Sequence, residues 1–202
     1  MNMNKTTLRT LIMTALFIAI MLALQLTGLG LINLGIVNIT FYCTLIAIGT
    51  LVIGLYPGLL MAFVFAAISF WKAISAPTGL VAPIIQLGGT GVAACFLMSF
   101  VPRLLVPVVV HFASKAFGKK KPYAGMTTGA VLGSLTNTVL YLSILLLAYA
   151  LLISTYSGIN DKGFVGILAT VGGVVLYGGI PEAIAAGLLV PPIVTAIRKI
   201  KH

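Results

Sequence analysis

Apolar runs of spanning length dominate the chain, separated by short polar or glycine- and proline-rich breaks. A bilayer's hydrocarbon core is roughly 30 Å thick and takes about 20 apolar residues of helix to cross. The pattern predicts six such helices, over about 10–30, 40–54, 58–74, 101–117, 124–154 and 164–197. The second is short. The turn Leu55-Tyr56-Pro57-Gly58 divides the second from the third, which hydropathy alone would fuse. Residues 75–100 are apolar but carry Pro77, Pro83 and Gly88-Gly89-Thr90-Gly91, which reads as a long folded outer loop between the third and fourth helices. The expected architecture is an all-α integral membrane protein, a single six-helix transmembrane domain over 1–202.

Composition agrees with that pattern: 60% of the 202 residues are hydrophobic and 7% charged, whereas soluble domains carry about 25% charged residues. Charge then orients the chain. Lys5, Arg9, Lys115, Lys119, Lys120, Lys121, Arg198, Lys199 and Lys201 fall on one side, leaving Lys72, Arg103 and Lys162 for the other. Cytoplasmic loops are enriched in Lys and Arg, so both termini are expected in the cytoplasm. The net charge of +10 is therefore a topology signal and implies no nucleic-acid partner. The basic N-terminus resembles a signal peptide, but its apolar run is of spanning length and reads as the first helix. Cys43 and Cys95 lie in apolar runs and read as packing residues.

No phosphate-binding loop, H-E-x-x-H or C-x-x-C motif occurs, so the chain does not read as an enzyme and needs no metal or cofactor of its own. A channel fits poorly without acidic rings or a filter repeat. Recognition of a small molecule within or at the edge of the bilayer remains, and a few polar residues stand out for it. Arg103, placed at the outer start of the fourth helix, either snorkels to water or offers a fixed guanidinium to a carboxylate; Lys72 either assists it or, as is more usual for Lys at a helix end, anchors the interface. Gly125, Gly129 and Gly133 repeat every fourth residue, and the same period continues to Asn137 and Tyr141. Glycines let a neighbouring helix approach closely; where they stop, the amide and phenol face the same interior with room for a ligand. Asn137 alternatively makes an interhelical hydrogen bond. Phe70 and Trp71 read as an interfacial belt that could also wall a pocket, and Gln86, Asn38 and Thr40 lie on the same outer side. Glu182, the one carboxylate inside a span, faces the interior by default and reads more readily as structural than as a ligand contact. Ala15, Ala19 and Ala23 form a small-residue stripe, either for packing within the bundle or for docking a separate membrane subunit.

Taken together, six spans in about 200 residues, the basic N-terminus leading into Ala15-x-x-x-Ala19, Gly54-Leu-Tyr-Pro-Gly58, Val101-Pro102-Arg103-Leu104-Leu105, Ser134-Leu135-Thr136-Asn137-Thr138 and Gly179-Ile180-Pro181-Glu182-Ala183 resemble the substrate-binding S component of an energy-coupling factor (ECF) vitamin transporter. The resemblance covers essentially the whole chain and is greatest to pantothenate-specific members. It implies a multi-pass protein of a prokaryotic plasma membrane that captures a vitamin from outside, while a membrane T component and two cytoplasmic ATPase subunits hydrolyse ATP. It also implies that Ala15, Ala19 and Ala23 face the T component. Pantothenate gives Arg103 a carboxylate to hold, and Asn137, Tyr141 and Gln86 could bind its hydroxyl and amide groups. Folate, hydroxymethylpyrimidine, pyridoxine and riboflavin stay open as alternatives. So do a small proton-coupled secondary transporter, which would need Glu182, and a structural membrane subunit.

Overall fold

The computed structural model describes residues 5–27, 31–33, 38–117, 121–153 and 161–200. Helix α1 (Lys5–Leu26) leads to an antiparallel hairpin of β1 (Leu31–Asn33) and β2 (Asn38–Thr40), with Leu31 opposite Thr40. Next come α2 (Tyr42–Val52), α3 (Leu55–Ser75), the single turn α4 (Ala82–Ile85), α5 (Gly89–Ala116) and α6 (Pro122–Ala148). A π turn at Tyr149–Ile153 extends α6, and α7 (Asp161–Val174) continues through a second π turn, Val175–Gly179, into α8 (Ile180–Ile200). The fold is the helical membrane architecture expected, with the small hairpin as an addition.

Among the described residues, five helical stretches are long and apolar enough to cross a membrane: 6–26, 55–75, 89–116, 122–151 and 165–199. The predicted second span is shorter than a crossing, since the eleven residues of α2 reach only about 16 Å. Nine of those eleven are buried, so α2 is the helix that the others surround. Gly54, at φ 139°, turns the chain from α2 into α3. Leu55-Tyr56-Pro57-Gly58, read as a turn, is instead the first turn of α3, where Pro57 sacrifices no intrahelical bond. At the far end of the chain, Arg198 Nη2 donates to Leu51 O at 2.8 Å and so satisfies a carbonyl in the last turn of α2.

Two expectations need correction. Residues 75–100 do not form one long loop: the connection narrows to 76–88, α4 lies within it, and α5 begins at Gly89. Gly88, at φ 71°, takes a left-handed conformation that costs glycine little and aims the chain into the helix. Because α5 starts twelve residues earlier than the pattern implied, Arg103 is not at a helix start. It sits mid-helix and is buried, at 7% exposure, which also removes the snorkelling reading.

Contacts run in opposite order along α5 and α6 and along α6 and α8, so Lys115, Pro122 and Arg198 lie towards one face and the 76–88 connection towards the far one. The α5–α6 contact is especially close. A Cβ at Gly125 or Gly129 would come within 2.6 or 2.9 Å of the Ser114 or Val110 carbonyl oxygen, and one at Gly133 within 2.5 Å of Val110 Cγ2. Only hydrogen at those positions allows the observed approach. Towards the chain ends, the core joins Val106, Val110, Ala130, Ala186, Val190 and Val194 to Ile46 and Ala47 of α2. A second cluster nearer the far face contains Val81, Ile84, Cys95, Met98, Leu142, Leu145 and Tyr149. A cavity separates the two.

Candidate functional site

The cavity measures about 790 Å³, within the range of small-molecule sites. Phe65, Ile68, Ser69 and Lys72 line it from α3, Cys95, Met98, Ser99 and Arg103 from α5, and Asn137, Thr138, Tyr141 and Leu142 from α6. Thr170 and Val174 of α7, Gly178 and Gly179 of the π turn and Glu182 of α8 form another wall; Gln25 of α1 and Tyr42 of α2 complete the lining. Thr78, Gly79, Leu80 and Val81 bring the 76–88 connection over it. That cover is tied down by Tyr149, whose hydroxyl donates to Leu80 O at 2.7 Å.

A local backbone defect holds Arg103 in place. Pro102 has no N–H, so the Met98 carbonyl loses the donor that a regular helix would supply four residues later. Arg103 Nη1 donates to that Met98 oxygen instead. The guanidinium carbon also lies 5.3 Å from the Phe65 ring centroid and 4.9 Å from that of Tyr141, between faces supplied by α3 and α6. Cations within about 6 Å of a ring face gain roughly 0.5–2 kcal/mol. Tyr42 stacks on Phe65 at 4.7 Å and donates to Gln25 Oε1 at 2.8 Å. One stack of side chains therefore runs from α6 through Arg103 to α3 and α2, and a hydrogen bond carries it on to α1.

The stack leaves polar atoms in need of partners. Arg103 Nε and Asn137 Oδ1 are buried and find no hydrogen-bond partner among the described residues. Burying such a group unpaired costs about 1–3 kcal/mol. One is a donor on a permanent cation and the other an acceptor, so the arrangement suits a ligand with a carboxylate near Arg103 and a hydroxyl or amide donor near Asn137. Glu182 is buried at 6% exposure and interacts electrostatically with Cys43 and Arg103.

Among the residues singled out in the sequence, Arg103, Asn137 and Tyr141 converge on the cavity. Gln86 is exposed at the end of α4, and Trp71 is 72% exposed on α3; neither lines the cavity. Phe70 also lies outside the lining, its ring 5.5 Å from Phe96 and 6.3 Å from Phe100 in an aromatic contact between α3 and α5. Asn38 and Thr40 form the ends of β2, and their side chains lie outside the described residues. Sequence reasoning did not pick out Gln25, Tyr42 or Phe65. For Gln25 a signal existed: it is a lone amide near the end of an otherwise apolar run.

Helix α1 buries Thr14, Phe17 and Met21, whereas Ala15, Ala19 and Ala23 are exposed. The alanine stripe therefore does not pack within this bundle.

The comparisons with known proteins agree with this geometry. A family model described as "ECF transporter, substrate-specific component" matches residues 9–194. The chain is also 29% identical over 207 residues, covering 99% of both chains, to the pantothenic acid transporter PanT of Lactococcus lactis subsp. cremoris (strain MG1363). A match over nearly the whole chain, on a multi-pass helical architecture of the cell membrane, establishes that this protein belongs to the substrate-specific components of ECF transporters.

Proposed function

We propose that this chain is the high-affinity binding subunit of an ECF-type importer and that its substrate is pantothenate. The observation that carries the proposal is Arg103, a buried guanidinium in the cavity wall with Nε unpaired among the described residues and Asn137 Oδ1 in the same wall. Pantothenate brings a carboxylate for the first and hydroxyl and amide donors for the second. The similarity to a pantothenic acid transporter supports the same choice.

In this reading the vitamin enters from outside, beneath the 76–88 connection, and the face holding the chain ends is cytoplasmic. The charge distribution supports that orientation more clearly once Arg103 is counted in the interior, because Lys72 and Lys162 are then the basic residues assigned to the outer side. Family membership supports partnership with a membrane T component and two ATPase subunits that hydrolyse ATP for the complex. The exposed alanine stripe of α1 is the proposed contact with the T component.

Thermal unfolding of the detergent-purified protein against pantothenate, folate, riboflavin, pyridoxine and a hydroxymethylpyrimidine tests the substrate. Saturation at 100 times Kd adds about 2.7 kcal/mol to stability, so pantothenate alone should raise the midpoint. A selective rise with another vitamin overturns pantothenate, and no rise with any member of the panel counts against vitamin binding altogether.

A further inference from the structure

The charges on the cavity wall carry a second conclusion. Among the described residues that line the cavity, Arg103 and Lys72 are the cations and Glu182 the carboxylate, a net single positive charge before any ligand enters. Arg103 and Glu182 are buried, where the dielectric is low and Coulomb energies are correspondingly steep, while Lys72 is half-buried. The π turn Val175–Gly179 and Pro181 immediately precede Glu182 and bring it to the cavity wall, where Tyr42 of α2 and Arg103 of α5 also lie. A monoanionic ligand balances the wall. A dianion leaves excess negative charge buried beside Glu182, an expensive arrangement.

We propose that Glu182 is a specificity-determining residue that sets the ligand's charge: the cavity admits monoanionic acids bearing hydroxyl or amide donors and rejects the same molecules once phosphorylated. This rests on the pantothenate reading of the site. The free vitamin carries one negative charge, and its phosphate monoester adds about 1.5–2 more near neutral pH. The donors of the acceptable ligand can address the Glu182 carboxylate, whereas phosphate oxygens meet it as like charge.

The test is titration calorimetry of pantothenate and of its phosphate monoester with the purified full chain and with Glu182→Gln. The wild-type protein should prefer pantothenate by at least about 100-fold, and the substitution should narrow that preference at least tenfold by improving binding of the ester. An unchanged preference in a Glu182→Gln protein that still binds pantothenate overturns the charge role alone. Absence of pantothenate binding by the wild-type protein overturns the substrate reading and this inference together. If Glu182→Gln does not yield folded protein, Lys72→Met tests the same charge balance with the opposite sign. Losing one cation should reduce the preference for pantothenate over its uncharged alcohol analogue at least tenfold, and an unchanged preference overturns the proposal.

Discussion

The two halves of the α5–α6 pair use the same helices for opposite ends. Nearer the chain termini, Gly125, Gly129 and Gly133 press against the Ser114 and Val110 region so closely that no side chain fits between them. One turn further along the same face, Asn137 and then Tyr141 replace glycine, Arg103 stands opposite, and the helices border a cavity. The closed half gains packing. The open half holds buried polar atoms without partners in the described chain, so it gives up stability for the capacity to bind. Stability and recognition are thus separated along one helix by a change of residue type at constant spacing.

The largest expected effect comes from the open half. Arg103→Ala removes the cation opposite Tyr141 and should weaken pantothenate binding by about 2–5 kcal/mol, the scale for breaking a buried charge pair. Titration calorimetry reads this directly, and wild-type affinity in the variant would refute anchoring by Arg103. Lys at this position keeps the charge but loses the planar fork that donates to the Met98 carbonyl and would pair two-pronged with a ligand carboxylate. It should therefore recover only part of the lost affinity.

The closed half should respond in the opposite currency. Gly133→Leu places a branched side chain where even a Cβ would lie 2.5 Å from Val110 Cγ2. Overpacking of this kind costs about 1–3 kcal/mol, to be read as a lower unfolding midpoint in detergent without ligand. Unchanged stability would mean that α5 and α6 can separate there at little cost, and the distinction between the halves would fail. Asn137→Leu, one helical turn away, should behave differently. It removes an amide whose Oδ1 is unpaired among the described residues, so stability without ligand should hold or rise, while pantothenate binding falls by about 0.5–1.5 kcal/mol, the net worth of one hydrogen bond.

Much of this contrast was legible in the sequence, because a four-residue period fixes which side chains share a helical face whatever the helix's depth. Gly125 to Tyr141 could be followed that way, and Asn137 and Tyr141 do reach the cavity. Depth was the part that could not be read. Pro77, Pro83 and four residues rich in glycine resemble a loop, yet glycines at the first positions of α5 permit its entry, and the apolar residues after them continue as helix. The start of α5 sets the depth of Arg103: a start near Val101 places its guanidinium on the outer face, whereas the observed start at Gly89 places it inside the cavity wall. Tyr42 and Phe65 depend on how α2 and α3 meet their neighbours, a tertiary fact with no local pattern, whereas Gln25 is marked only as a lone amide in an apolar run. Trp71 and Gln86 illustrate the converse: residues suited to a ligand lie near the correct end of the molecule but on its outside.

The smallest effect on fold and affinity is expected at the surface of α1. Ala19 is exposed, while the face packed on the bundle presents Thr14, Phe17 and Met21, so Ala19→Leu changes the surface away from that packing among the described residues. Surface substitutions of that kind usually change stability by less than about 0.5 kcal/mol, and pantothenate affinity should be unchanged. Transport by the assembled importer should nevertheless fall, because small residues allow a partner helix to approach closely and a leucine holds it away. Binding by the isolated subunit and uptake by the whole complex must therefore be measured on the same variant. Loss of both would indicate that α1 helps to shape the cavity, an influence that Gln25 could transmit through its hydrogen bond with Tyr42. Loss of uptake alone would mark the stripe as a docking surface and leave the α5–α6 contrast as the device that binds the vitamin.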